Sequence, residues 1–188
     1  MMTLTLEQLK ELKPCSEGFT WYSRNIKTED VKEILTILSS HSWEWCRWLF
    51  VRLLNANQNR RLAIYCAELV LPIFENRFPC DKRPRDAIEA SKKYLLGEID
   101  KKELLIKRRA AYDAADAAAD AADAAYDADA YAYAAAYAAY AAAADADAAA
   151  AYDAAADADC AVYAAAADAS MKQKIVGKVI DLLKEGDK

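Results

Sequence analysis

Aspartates recur along the second half of this 188-residue chain at intervals that suit one face of a helix. Paired carboxylates on a helix face are one way to hold a hard divalent cation. Asp116-x-x-x-Asp120 and Asp153-x-x-x-Asp157 have that spacing, so a helical enzyme working through Asp-bound Mg²⁺ is one reading. Against it, aspartate is so frequent there that such pairs arise whatever the function, and no G-x-x-x-x-G-K loop for phosphate accompanies them. The single histidine, His41, stands between Ser40 and Ser42, but nucleophilic catalysis needs a base and an orienting group brought together in space. Ser39–Ser42 reads better as a helix cap and turn. No G-x-S-x-G or H-E-x-x-H sequence occurs.

The cysteines Cys15, Cys46, Cys66, Cys80 and Cys160 are odd in number and form no C-x-x-C pair. With one histidine they do not make up a paired zinc-ligand set. They are expected to be reduced thiols buried as small hydrophobes. The opening Thr3–Lys10 stretch carries charges at helical spacing and no apolar run, unlike a signal peptide. A cytoplasmic protein with no catalytic residues, no metal and no cofactor is predicted, and not an enzyme.

The elements that position these residues follow from an abrupt change of composition. Residues 110–170 contain 38 Ala, 12 Asp and 8 Tyr, with no Lys, Arg, Glu, Gly or Pro. That tract carries −12 and leaves +7 on the rest, a division hidden by the net charge of −5. Alanine is the best helix former and the breakers are absent, so helix is predicted. Asp113, Asp116, Asp120, Asp123 and Asp127 step by 3, 4, 3 and 4, which is one helical stripe; Tyr126, Tyr133, Tyr137 and Tyr140 step by 7, 4 and 3, which is another. A straight helix of that length would extend about 90 Å. Two or three helices are therefore expected, with breaks at the doublets Asp127/Asp129, Asp145/Asp147 and Asp157/Asp159, because Asp caps helix N-termini well. The recurring Asp also argues against a transmembrane span, at roughly 2.5–3.5 kcal/mol for each one at mid-membrane.

Residues 1–109 predict more conventional amphipathic helices. Thr5 and Gln8 fit a capping box, and Pro14 and Gly18 bracket a break. Asp30–Ser39 places Val31, Ile34, Leu35 and Leu38 on one face, and Trp43, Trp48, Leu49, Leu53 and Leu54 continue the pattern. A helix from Arg60 to about Phe74 is expected to be kinked or ended by Pro72. Residues 79–85 read as a loop before a helix at 86–96 that Gly97 closes, and Ile175–Leu183 reads as an amphipathic C-terminal helix. The fold class is all-α: a multi-helix bundle with an Ala/Asp/Tyr-rich helical C-terminal half. The chain is expected to form a single domain over residues 1–188, divided into 1–109, the tract at 110–170 and a last helix within 171–188.

Certain stretches occur together in a recognisable order. Ser42-Trp-Glu-Trp-Cys-Arg-Trp-Leu49 is followed by Arg60-Arg-Leu-Ala-Ile-Tyr-Cys-Ala-Glu-Leu69 and Leu71-Pro72. Then come Arg83-Pro-Arg-Asp-Ala-Ile-Glu-Ala90 and Tyr94-Leu-Leu-Gly-Glu-Ile99, before the Ala/Asp/Tyr tract and the last helix. This order resembles the alanine-rich immunity proteins of bacterial polymorphic toxin systems, which phages and prophages also carry. The opening Cys15-Ser-Glu-Gly18-x-x-Trp21-Tyr22 looks like the start of the same family. The resemblance extends over nearly the whole chain. It implies an all-α protein that binds and neutralises another protein, with no catalytic residues to carry over. The purity of the tract in Asp departs from relatives in which other charged residues dilute it.

The acidic stripe Asp113, Asp116, Asp120, Asp123 and Asp127 reads either as a solvated face that keeps the tract soluble or as a docking surface for a protein with a basic surface. Nucleic-acid mimicry is the sharper version, suited to a phage inhibitor of a bacterial defence system. One DNA strand places a charge every 3.4 Å, whereas this stripe places one per roughly 5 Å, so a single helix is too dilute but two adjacent helices could approach that density. Trp45 beside Arg47 is a candidate interface anchor, since these types are enriched at hot spots; of Trp43, Trp45 and Trp48, two are expected in the core. Arg77, Lys82, Arg83 and Arg85 could bind phosphate or an acidic partner, but pairing with Asp from the tract within the molecule is the favoured expectation. The predicted partner is a protein, toxin or defence component; neither nucleic acid nor membrane is expected to be bound directly.

Overall fold

The computed structural model describes residues 2–122 and 169–185, and of residue 116 and residues 118–122 it describes the backbone alone. Among the described residues there are eight α-helices and a single bridge in place of any strand. They are α1 (Leu6–Glu11), α2 (Ser16–Asn25), α3 (Val31–His41), α4 (Trp43–Leu53), α5 (Ala56–Arg77), α6 (Arg83–Leu95), α7 (Lys101–Ala122) and α8 (Ala169–Glu185). The all-α reading holds. The three predicted breaks, the tyrosine stripe and Cys160 lie outside the described residues.

Local side-chain bonds determine where most helices begin, because the first N–H groups of a helix have no partner inside it. Thr5 and Gln8 form the predicted box: Gln8 N–H donates to Thr5 Oγ1 at 3.2 Å, and Thr5 N–H donates to Gln8 Oε1 at 2.9 Å. Asp30 Oδ1 accepts from the backbone of Lys32 and Glu33. Ser42 ends one helix and starts the next. Its N–H donates to the Leu38 carbonyl, and its Oγ accepts from Trp45 N–H. Gly97, at φ +72°, adopts the left-handed turn that closes α6 and returns the Gly97 and Glu98 N–H groups to Tyr94 and Lys93.

Several boundaries differ from the sequence reading. Gly18 lies inside α2, whose cap is Cys15: its Sγ accepts from Gly18 N–H at 3.3 Å. Helix α5 starts at Ala56, four residues early, on a second capping box between Asn55 and Gln58. It also runs through Pro72 to Arg77. Pro72 lies on the exposed face above Glu68, where water can satisfy the carbonyl that the ring leaves unbonded. Helix α6 begins at Arg83, with Pro84 at a first-turn position that needs no N–H. The composition change near residue 109 marks no structural boundary, because α7 crosses it.

One core cluster gathers the buried side chains, centred on Ile34, Leu35, Leu49, Phe50, Leu62 and Phe74. The predicted face of α3 is buried throughout. Helix α8 packs on α3 and α5 through Ile175, Val176, Val179 and Leu182. Cys46 and Cys66 are core residues whose thiols burial pushes upward, Cys46 to about 12. Cys15 and Cys80 are exposed, against the expectation for all five. Helices α6 and α7 lie side by side, and both bury small residues, Ala87, Ala90 and Ser91 on one and Ala111, Ala114 and Ala115 on the other. Short side chains let helix backbones approach closely.

Two buried amides tie three helices together. Asn59, with no exposed surface, donates from Nδ2 to the carbonyls of Val51 at 2.9 Å and Leu54 at 3.2 Å. Gln58 donates from Nε2 to the Leu182 carbonyl at 2.7 Å. The ends of α4 and α8 are thereby satisfied by the start of α5. Asn59→Ala should lower unfolding free energy by about 2 kcal/mol, since two buried carbonyls lose their donor. Asn59→Asp should lower it further, because a carboxylate there faces carbonyl oxygens and cannot donate; urea denaturation measures both.

Tyr22 is buried, and its hydroxyl makes no hydrogen bond among the described residues. Burial, then the Glu29 carboxylate, push its phenol from 10.0 up to about 12. The unfolded chain therefore loses this proton first. Stability should be unaffected by Tyr22 below about pH 10 and should fall as pH rises from there towards about 12. Tyr22→Phe should make that fall shallower while costing nothing at pH 7, as thermal melts across the alkaline range would show.

Candidate functional site

Chain reversal at Ser42 brings aromatic residues from two helices beside a third. His41, the last residue of α3, stacks on Trp21 of α2 with ring centroids 3.8 Å apart and planes 8° from parallel. Trp45 of α4 leans on both, at 5.8 Å from Trp21 and 5.5 Å from His41. The Trp45 ring also lies against Gly18, where a Cβ would make ordinary contact with it at 3.5 Å and crowd only the capping Cys15 Sγ, at 3.1 Å. One turn further along α4, Trp48 carries the Arg52 guanidinium over its ring at 4.4 Å. Trp43 faces the other way, edge-on to Phe50 and under Lys172 of α8.

All three tryptophans of α4 are half-buried, where two had been expected in the core. Trp45 and Trp48 form one wall of a groove of about 320 Å³. Leu9, Leu38 and Leu49 supply its apolar lining, and Pro14 and Tyr22 its opposite side. Glu44, Arg47 and Arg52 add charge. Trp45 and Arg47, predicted as a pair, thus share one groove. Sequence reading missed the His41–Trp21 stack and the Arg52–Trp48 pair. The second had a signal, a four-residue spacing on one helix; the first depends on where α2 and α3 lie in space.

Of the predicted aspartates, Asp113 is the one whose side chain is described, and it does not line this groove. Asp113 is exposed on α7 and pairs with Arg109 at 3.1 Å. It also lies close enough to Arg83 to help hold that guanidinium protonated, after Asp81. Asp116 and Asp120 belong to α7, but only their backbone is described; Asp123 and Asp127 lie outside the described residues, as do Asp153 and Asp157. Among the described residues, no three His, Cys, Asp or Glu side chains gather as a metal-binding group.

Among the described residues the basic cluster pairs internally, mainly with acids outside the tract. Arg85 and Lys82 both reach Glu75, whose carboxyl is held below the usual range chiefly by the Arg85 hydrogen bond. Arg83 grips Asp81 at 2.6 Å and lowers it in the same way. Arg77 lies over Phe78 at 5.9 Å. Lys107 reaches from α7 to Asp86 of α6 at 3.0 Å. These partners lie near in sequence or on adjacent helices.

No described helix is long and apolar enough to cross a membrane. No curated protein and no solved structure matches the chain. A family model, described as Imm-5 like putative immunity protein, matches residues 52–179. The matched region runs from the last turn of α4, through α5, α6, α7 and the tract, into α8. The Cys15–Tyr22 opening and the Ser42–Leu49 stretch, counted in the wider resemblance, precede it. The match takes in well over half of the residues and includes the Arg83–Ala90 segment, so this chain belongs to the Imm-5 like putative immunity protein family.

Proposed function

We propose that this chain is a non-catalytic immunity protein that neutralises a bacterial protein toxin in the cytoplasm by stoichiometric occlusion. The observation that carries this reading, beside family membership, is the half-buried aromatic groove. Trp45 and Trp48 pack on the core from its edge and stay half-buried, keeping part of each ring available. Tryptophan and arginine held at a groove edge are what a protein interface uses as anchors. Trp45 and Arg47 would enter the toxin contact and exclude water from it.

The acidic stripe has a separate role in this proposal. Asp113, Asp116, Asp120, Asp123 and Asp127 would steer a basic patch of the toxin towards the complex, raising the association rate more than the final affinity. A phage-borne inhibitor that imitates nucleic acid is the weaker reading. Asp113 already shares its charge with Arg109, and the same helix begins with Lys101, Lys102, Lys107 and Arg108. A cationic first half does not resemble a phosphate backbone.

Titration of a neutralised toxin's activity tests the mechanism. Activity should fall linearly to an end point at one inhibitor per toxin, and co-expression should restore growth. Complete neutralisation far below equimolar inhibitor would overturn occlusion in favour of catalysis. Trp45→Ala with Arg47→Ala should raise Kd by about thirtyfold, in line with hot-spot losses of roughly 2 kcal/mol. Replacing the five aspartates by Asn should slow association at low salt and flatten its salt dependence, read by stopped-flow mixing.

A further inference from the structure

Arginines line several grooves of the described surface, and most already have a carboxylate. Arg61, in the groove between α5, α6 and α8, is paired with Glu185. Arg109, in the shallow groove on α7, is paired with Asp113. Arg52 differs. It lines the aromatic groove, is exposed, and has no carboxylate partner among the described residues. Its guanidinium is nevertheless held in place, with Cζ 4.4 Å from the Trp48 ring centroid and Nη1 donating to the Trp48 carbonyl at 3.0 Å.

We infer that the aromatic groove takes a segment of the toxin in which an Asp or Glu lies beside a large apolar side chain, and that Arg52 receives the carboxylate. The inference rests on the immunity reading above and names what the partner must present. A guanidinium fork stacked on an aromatic ring is preorganised for a carboxylate, and the remaining N–H donors can meet both oxygens. Trp45, Leu38 and Leu49 offer apolar surface for the neighbouring side chain. Glu44 lies eight residues before Arg52, about 12 Å along the helix, and its carboxylate accepts from Ser42 Oγ. Opposite charges thus stand at the first and last turns of α4, with Arg47 between them, and the bound segment is ordered with its carboxylate towards the end of α4. The last-turn position of Arg52 also suits the α4 dipole, but that role would not discriminate among ligands.

The test uses the full chain and, as probes, acetylated and amidated pentapeptides carrying one Glu and one Phe, Leu or Trp at varied spacing, each matched by a Gln counterpart. Indole and arginine Nε–H signals are followed by NMR. The Glu peptides should shift the Trp45, Trp48 and Arg52 signals and bind about tenfold more tightly than the Gln peptides. Arg52→Gln should abolish that preference, and Arg52→Lys, which keeps the charge but not the fork, should retain only part of it. Thermal melts confirm folding of each variant. Absence of shifts at these groups, equal binding of Glu and Gln peptides, or a preference that survives Arg52→Gln overturns the inference. Toxin neutralisation is measured in parallel. Neutralisation by both wild type and Arg52→Gln, without peptide discrimination, sinks the groove assignment alone. Failure of the wild type to neutralise, with discrimination intact, sinks the immunity reading alone.

Discussion

Three helix ends meet at the start of α5, and the polar groups of those ends must all be satisfied away from water. Asn55 and Gln58 close the first turn of α5 on itself. Asn59 covers carbonyls at the end of α4, and Gln58 covers one on α8, more than a hundred residues away in sequence. An unsatisfied buried carbonyl costs about 1–3 kcal/mol, so these bonds act as a geometric constraint. They tie the end of α4 and the end of α8 to the start of α5. The aromatic groove shares α4 with this junction through Trp45, Trp48 and Arg52, and the rest of its lining comes from α1, α2, α3 and the Pro14–Cys15 link.

The opposite side of the described structure relies on a different economy. Helices α6 and α7 meet through alanines and a serine, which bury little area each. Charged groups span the same contact, with Lys107 on Asp86 and Asp113 near Arg83. Such pairs contribute little when exposed, but they favour one register of a smooth alanine surface over its neighbours. The first alanines of the tract, at 111, 114 and 115, therefore belong to the core as fully as Leu104 does.

A binding protein needs rigid anchors that are not used up by its own core. Here the buried core consists mainly of aliphatic side chains with Phe50, Phe74 and Tyr22, and the tryptophans of α2 and α4 pack half-buried at its edge. Stacking holds them: Trp21 on His41, Trp45 against both, Arg52 on Trp48. Rings already fixed in this way lose little freedom on binding, which is where preorganised interfaces gain affinity.

Helix class, the buried face of α3, the caps at Thr5, Asp30 and Ser42, and the stop at Gly97 were legible in the sequence. Each depends on contacts within four residues, and spacing alone encodes such contacts. The Asn55–Gln58 box had the same local signature as Thr5–Gln8 and was legible too, although the helix was read from Arg60. Trp45 with Arg47 was legible as a pair of anchor types, but not the groove they share. Pro72 was tolerated because its face turned out to be exposed, and Cys15 because its thiol caps a helix instead of filling the core. The groove, the free face of Arg52 and the partners of the basic cluster required the tertiary structure. They arise where side chains from helices distant in sequence meet, and those meetings depend on crossing angles and core packing that no local spacing carries.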